Sequence, residues 1–197
     1  MRDIIKPATT LFITCLIVTL SLAFTYSATK GKIAERAEID AENARKEVLA
    51  VADTFKEITD IDSIIKANSG LEPVKKAFKG VKGNEVIGYV FSTESKGYGG
   101  AIGITVGIDT KGKVMGVKIG ESKETPGLGS KASDKPFISQ FLNIIPKEPL
   151  KVIKIKKSKP EEIEAISGAT ITSKAVTKAV QAAIDASGKL MQKEGGK

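Results

Sequence analysis

The N-terminal segment contains an uncharged run that constrains how the whole chain can fold. No charged residue occurs between Lys6 and Lys30, and most side chains in this interval are aliphatic or aromatic. A helix of roughly 23 residues is about 34 Å long, which exceeds a hydrocarbon core of about 30 Å. The run is also longer than the apolar part of a cleaved signal peptide, and no clean small-residue cleavage site follows it. The segment is therefore predicted to be a retained transmembrane anchor.

Composition limits the chemistry that the rest of the chain can perform. The 197 residues include no histidine and no tryptophan, and the one cysteine, Cys15, lies within the apolar run. Iron–sulfur clusters held by cysteine, haem held by histidine, and zinc held by either residue are therefore excluded, as are catalytic triads that need histidine. We predict no metal site and no catalytic residue, and a redox role would require an organic cofactor.

The formal net charge of +8 raises the possibility of an anionic partner. The lysines are dispersed along the chain, and only three tyrosines and seven phenylalanines are available to stack on bases. No nucleic-acid recognition motif is present, so nucleic-acid binding is not predicted. The lysines favour a solvated surface, which is also compatible with anionic lipid headgroups or an acidic partner.

Hydrophobic periodicity predicts one further helix and then a series of strands after the anchor. Apolar residues recur at three- and four-residue spacing in residues 32–58, which is typical of an amphipathic helix. Strand patterns follow at residues 86–91, 102–108 and 114–119, and residues 109–112 read Asp-Thr-Lys-Gly, a hairpin turn. Successive strands joined by short turns predict an antiparallel meander.

The remaining segments give weaker patterns. Residues 133–141 predict a helix that packs on the sheet, and residues 150–155 predict a strand whose lysines suit an edge position. A last helix is predicted to follow residues 167–173 and to end near Ser187, with Gly188 as its C-terminal stop. Residues 60–83 contain several turn residues and are left unassigned.

These elements predict an α+β fold, with a largely antiparallel sheet packed by helices. The expected organisation is a transmembrane anchor in residues 1–30, an amphipathic stalk or covering helix in residues 31–60, a globular domain in residues 61–190, and a polar, frayed tail in residues 191–197.

Two loops between predicted strands and helices have compositions suited to binding a flat ligand. Residues 97–100 read Gly-Tyr-Gly-Gly, which permits positive φ angles and close approach of the backbone. Residues 124–129 read Glu-Thr-Pro-Gly-Leu-Gly, where Pro-Gly favours a rigid type II turn with a positive φ at Gly127. Each loop taken alone could equally be an ordinary turn.

A hydroxyl-rich turn precedes the last predicted helix. Residues 167–173 read Ser-Gly-Ala-Thr-Ile-Thr-Ser, and either Thr172 or Ser173 is expected to be the N-cap. The start of a helix presents unpaired N–H groups and the positive end of the helix dipole, which together suit a phosphate. Spacing alone also fits a simple capping loop.

The same residues resemble a known family. Ser-Gly-Ala-Thr at residues 167–170 is similar to the flavinylation motif of the FMN-binding domain in the Rnf and Nqr complexes, and the 124–129 loop matches that family's second signature. The glycine-rich loop resembles the segment that precedes the same pair of strands. In length the chain is more similar to the G subunit of the Rnf complex than to the longer NqrC protein of the Nqr complex.

The resemblance implies a covalent flavin. In the family, a flavin transferase joins FMN through its phosphate to the threonine that corresponds to Thr170, and the 124–129 loop contacts the flavin ring. We add the inference that Lys174 neutralises the phosphate. The cofactor-binding residues expected on this basis are Thr170, Ser167, Gly168, Ala169, Glu124, Thr125, Leu128, Gly129, Gly99, Gly100 and Lys174.

The implied function is electron transfer within a membrane complex that couples ferredoxin and NAD oxidation–reduction to ion movement. The partners would be the other Rnf subunits, the flavin transferase and the cell membrane, with the flavin domain on the extracytoplasmic side. Two alternatives stay open, namely a non-redox anchored binding module and a flavoprotein that passes electrons to an extracellular acceptor.

Overall fold

The computed structural model describes residues 2–195, and the side chains of residues 5–193 except that of residue 121. By its internal contacts the chain divides into two compact units, Met1–Glu42 and Asn43–Lys197. The boundary lies within a single long helix, α1, which spans Arg2–Val48.

The N-terminal part of α1 has the length and composition of a membrane span, as the sequence predicts. Its apolar side chains are exposed, and six hydroxyl side chains within it donate hydrogen bonds to carbonyl oxygens of the preceding turn. These hydrogen bonds satisfy the hydroxyl groups within the helix itself, as is required for polar groups in the apolar interior of a membrane. The residues concerned are Thr9, Thr10, Thr14, Ser21, Thr25 and Thr29.

The prediction that the amphipathic helix continues to residue 58 is wrong, because α1 ends at Val48. A short turn follows, in which the Ala52 N–H donates to the Leu49 carbonyl at 3.1 Å. Residues 54–57 then form a strand, since their backbone groups pair with a neighbouring strand instead of continuing the helical ladder. The spacing of apolar residues persists through Phe55, but that side chain packs against the sheet.

Five strands form one fully antiparallel sheet in simple sequence order. They are β1 (Thr54–Glu57), β2 (Val74–Lys82), β3 (Glu85–Lys96), β4 (Ala101–Asp109) and β5 (Val114–Ser122). The predicted hairpin turn between β4 and β5 is confirmed, because Gly112 has a φ of 82° and its N–H donates to the Asp109 carbonyl. The α+β class and the antiparallel meander are confirmed.

The sheet is covered on both faces. On one face lies α4, the helix Thr170–Gly195, whose buried alanines, valines and Leu190 pack on the apolar residues of β2, β3 and β4. On the other face, Val48 and Leu49 pack on Phe78 and Val90. Hydrophobic burial on both faces thus holds the sheet between two layers.

Close contact on the second face depends on two glycines. A Cβ atom on either Gly107 or Gly116 would collide with the backbone of Val48. The absence of these side chains lets the end of α1 lie directly on the sheet.

The short elements surround the sheet. The helix α2 spans Ile61–Ala67 within the segment that the sequence left unassigned, and β2 follows it. The predicted helix near residue 135 is one turn, α3 (Lys135–Ile138), between 3-10 turns at Gly129–Ser133 and Ser139–Phe141.

The predicted strand at residues 150–155 is only three residues long, β6 (Lys151–Ile153). It pairs in parallel with β7 (Glu162–Glu164), a strand that the sequence pattern does not predict. The two form a separate sheet, not an edge of the main one.

The final helix is longer than predicted. Gly188 does not stop it, because α4 continues to Gly195 and includes most of the residues expected to form a frayed tail. Ala186 and Leu190, on either side of Gly188, are buried in the core. Tertiary packing on both sides therefore outweighs the weak helix propensity of one glycine.

Candidate functional site

The turn from β7 into α4 is ordered by its own backbone hydrogen bonds. Gly168 has a φ of 76°, and the Ala169 N–H donates to the Ile166 carbonyl at 2.9 Å. The first hydrogen bond of helical spacing runs from the Ser173 N–H to the Ala169 carbonyl at 3.0 Å. The N–H groups of residues 170–172 precede that bond, so they have no partner within the helix and face outward from its positive end.

The prediction that Thr172 or Ser173 is the N-cap is wrong, since both lie inside the first turn of α4. The Ser173 hydroxyl accepts from the Ile166 N–H at 3.0 Å and donates to the Ala169 carbonyl at 2.9 Å. The Thr172 hydroxyl donates to Glu124 Oε2 at 2.6 Å. These two hydroxyls therefore fix the turn in place instead of capping the helix.

The loop after β5 adopts the predicted turn. The Thr125 carbonyl accepts from the Leu128 N–H at 3.1 Å, which closes a four-residue turn around Pro126 and Gly127. Gly127 has a φ of 77°, which confirms the positive φ expected from the Pro-Gly pair. The Gly127 N–H donates to the Ser130 hydroxyl at 2.9 Å, so the loop is fixed at both ends.

The glycine-rich loop between β3 and β4 lies against the β5 loop. The Gly97 N–H donates to the Gly100 carbonyl at 2.7 Å, and Gly100 has a φ of 150°. A Cβ on Gly99 would collide with the Lys123 carbonyl. The close approach predicted for this loop is therefore made by neighbouring backbone, and the Tyr98 side chain is left 72% exposed.

A cavity of about 520 Å³ lies where these loops meet the start of α4. This volume is within the range of about 300–1,000 Å³ that is usual for small-molecule and cofactor sites. The residues around it are Tyr98, Glu124, Thr125, Leu128, Gly129, Gly168, Ala169, Thr170, Ile171 and Thr172.

The cavity brings together seven of the eleven residues predicted from the sequence. They are Glu124, Thr125, Leu128, Gly129, Gly168, Ala169 and Thr170. The other four, Ser167, Gly99, Gly100 and Lys174, do not line it. Lys174 lies exposed on α4, one turn beyond Thr170.

Three residues of the cavity were not predicted as site residues. Tyr98 belongs to the glycine-rich loop, and Ile171 and Thr172 directly follow Thr170. Their position within segments already singled out could have identified them. A residue beside a close-approach glycine, or in the first turn of the helix, can face the same cavity as its predicted neighbours. Tyr98, Leu128 and Ile171 are large and exposed, which is unusual enough to suggest a ligand surface.

The chemistry of the cavity suits an anion joined to a flat apolar group. Free N–H groups at the start of α4 would bind the anion, while Tyr98, Leu128 and Ile171 offer apolar contact area. The described residues contain no cluster of metal-ligating side chains. The donor set therefore fits an organic cofactor with a phosphate.

Comparison with known proteins agrees with this chemistry. Residues 97–185 match the FMN-binding domain family. Over 175 residues the chain is 39% identical to the G subunit of the proton-translocating ferredoxin:NAD(+) oxidoreductase complex of Clostridium ljungdahlii, covering 89% of this chain and 86% of that protein. The chain belongs to the G-subunit family of these complexes.

Further comparisons place the chain in the same family and fold. It is 36% identical over 190 residues to the G subunit of the Na(+)-translocating ferredoxin:NAD(+) oxidoreductase complex of Acetobacterium woodii, covering 93% of this chain and 91% of that protein. The crystal structure of NqrC from Shewanella oneidensis aligns with a TM-score of 0.51 at 20% identity, covering 62% of this chain and 61% of that one. The structural likeness shows the shared fold, and the G-subunit family recognised from residues 97–100, 124–129 and 167–170 is confirmed.

Proposed function

We propose that this protein is the membrane-anchored, FMN-carrying electron-transfer subunit of an ion-translocating ferredoxin:NAD oxidoreductase complex. Membership of the G-subunit family and the FMN-binding domain support this function. The protein would work with the other Rnf subunits and would not act as an enzyme alone. FMN supplies the chemistry of accepting and releasing electrons, and the chain holds and orients it.

The observation that carries the proposal is the contrast among the four hydroxyls of residues 167–173. Thr172 and Ser173 are 1% and 0% exposed, and both hydroxyls are engaged in hydrogen bonds. Thr170 is half-buried, lines the cavity, and makes no side-chain hydrogen bond within residues 5–193. Ser167 is also exposed but does not line the cavity, so the Thr170 oxygen is the one that the cavity leaves available for a phosphoester bond.

We infer that a flavin transferase joins the FMN phosphate to the Thr170 oxygen. The N–H groups of residues 170–172 would stabilise the phosphate through hydrogen bonds and the positive end of the α4 dipole. Lys174 would contribute to the local positive potential from one turn away, without lining the cavity. Ser167, Gly168 and Ala169 would shape the turn that presents Thr170.

The two loops would hold the ring system. The backbone N–H and C=O groups of residues 124–129 are rigid, so they can match the donors and acceptors along one edge of the ring. Tyr98, Leu128 and Ile171 would contact its faces. Gly99 and Gly100 would act indirectly, by placing Tyr98.

A gel experiment tests the attachment. The full chain is produced together with a flavin transferase, denatured, and inspected for in-gel flavin fluorescence. Thr170→Ala should abolish the fluorescence completely while leaving the fold intact, because the hydroxyl has no structural partner. Thr170→Ser, the matched control, keeps an oxygen at the same position and should stay fluorescent. A fluorescent T170A band would place the acceptor elsewhere in the turn and refute the assignment.

The long apolar part of α1 would be the membrane anchor, with the flavin domain outside the cytoplasm. This orientation is the one that the resemblance to the family implies. Positive charges flank the run on both sides, at Arg2, Lys6, Lys30 and Lys32, and do not themselves decide it. Access of an external protease to the domain would test the orientation.

A further inference from the structure

Glu124 is a buried carboxylate at the centre of the flavin site. It is 7% exposed, although glutamate is rarely buried without a partner. Oε1 accepts from the Gly99 N–H at 2.9 Å, and Oε2 accepts from the Thr172 hydroxyl at 2.6 Å. The two oxygens thus accept hydrogen bonds from two different segments, the glycine-rich loop and the first turn of α4.

Two glycines make room for this side chain, and a third lies against its backbone. A Cβ on Gly97 would collide with Glu124 Oε1, and a Cβ on Gly129 would collide with Glu124 Oε2. A Cβ on Gly99 would lie 3.2 Å from Glu124 Cα. The glycines of both loops, which the sequence patterns linked to the ligand, therefore pack around the carboxylate.

Burying a carboxylate is unfavourable unless its oxygens are satisfied. Here each oxygen accepts one strong hydrogen bond, and the start of α4 adds the positive end of a helix dipole. Removing the carboxylate would leave the Gly99 N–H and the Thr172 hydroxyl without their partner. Each lost hydrogen bond would loosen the attachment of its segment to the β5 loop.

We propose that Glu124 is a positioning residue and that its side chain does not itself bind FMN. It joins the three segments around the flavin cavity, namely the glycine-rich loop, the β5 loop and the first turn of α4. It holds the glycine-rich loop through Gly99 and the first turn of α4 through Thr172, and so fixes Tyr98 relative to Thr170. The purpose of this role rests on the proposed function, whereas the connection of the three segments through Glu124 is a property of the protein without flavin. The assignment replaces the sequence-based expectation of a direct cofactor ligand.

The first test uses the full chain without flavin, and measures hydrogen exchange at the Gly99 amide. Glu124→Ala should accelerate that exchange at least tenfold, since the acceptor is lost. Glu124→Gln should restore exchange to within about threefold of the wild type, because the amide oxygen can accept from Gly99 and the amide N–H can donate to the Thr172 oxygen. Glu94→Ala, which removes an exposed carboxylate from β3, is the matched control and should leave Gly99 unchanged.

The second test uses the flavin-loaded chain. With attachment measured by mass, Glu124→Ala should lower the loaded fraction and blur the fine structure of the visible flavin spectrum, and Glu124→Gln should rescue both. Thr172→Val removes only the link to α4 and should alter the spectrum in the same direction. If E124A does not fold, T172V still tests the positioning role, because an unchanged flavin spectrum in that variant would overturn the proposal.

The outcomes distinguish the positioning role from the proposed function. Unchanged Gly99 exchange in E124A would refute the positioning role, even if the wild type carries covalent FMN. A wild-type chain that takes up no flavin would refute the proposed function, whereas the exchange data would still decide whether Glu124 holds the cavity together.

Discussion

At residue scale, Gly127 carries a backbone angle that other residues adopt only at a cost. Its φ is 77°, its N–H is bonded to the Ser130 hydroxyl, and no atom lies near its missing side chain. Gly127→Val should therefore destabilise the domain by about 1–2 kcal/mol through backbone strain alone. The visible spectrum of bound flavin should shift, while attachment at Thr170 should persist.

Gly103→Val is the matched control for this substitution. Gly103 also has open space around its missing side chain, but it lies in β4 without a positive φ. Valine suits a strand, so this variant should be neutral or slightly stabilising. Denaturant unfolding of both variants checks the difference, and equal stability would contradict the role of the turn angle.

Single-residue chemistry was predictable from sequence where it depends on neighbours along the chain. The Pro126-Gly127 turn follows from two adjacent residues, and the free hydroxyl of Thr170 lies within a recognisable motif. The role of Glu124 was not predictable, because its partners Gly99 and Thr172 are 25 and 48 residues away. Only the fold brings the three together.

At element scale, the length of α4 allows a direct test. Gly188 lies in the helix interior, with no positive φ and no atom near its missing side chain. Gly188→Ala should stabilise the detergent-solubilised chain by about 0.5–1 kcal/mol, because alanine has the higher helix propensity. Thermal unfolding measures the effect, and a helix that ended at Gly188 in a left-handed residue would instead be destabilised.

Gly168→Ala, in the turn that precedes α4, is the comparison for Gly188→Ala. Gly168 has a φ of 76°, and a Cβ there would lie 3.1 Å from a Leu128 methyl group. This variant should lower the melting temperature, whereas G188A should raise it.

The errors at element scale have a common physical origin. Apolar spacing predicted a helix through Phe55, yet β1 gains backbone pairing with β2 that the pattern does not record. The parallel pairing of β6 with β7 crosses an eight-residue lysine-rich connection. Local periodicity identifies strands in a meander well, but it does not reveal pairing that tertiary contacts decide.

At the scale of the whole molecule, the sequence predicted the class, the order of β3, β4 and β5, and the long apolar helix. It predicted a covering helix in residues 31–60 but not the close contact of Val48 with the sheet, because Gly107 and Gly116 meet Val48 only in the folded protein. The cavity forms at one end of this rigid scaffold, where two loops meet the start of α4. Such a scaffold suits an electron carrier, since a pre-organised cofactor site needs little rearrangement.

One measurement tests the central claim, that an extracytoplasmic domain carries FMN on Thr170. Trypsin is applied to right-side-out spheroplasts, and the released peptides are analysed by mass spectrometry. Complete cleavage yields residues 158–174, because Pro160 blocks cleavage after Lys159. We predict that this peptide is released from sealed spheroplasts with the mass of one FMN less one water, and that fragmentation places the addition on Thr170. An unmodified peptide would contradict the attachment, and release only after the membrane is opened would contradict the orientation.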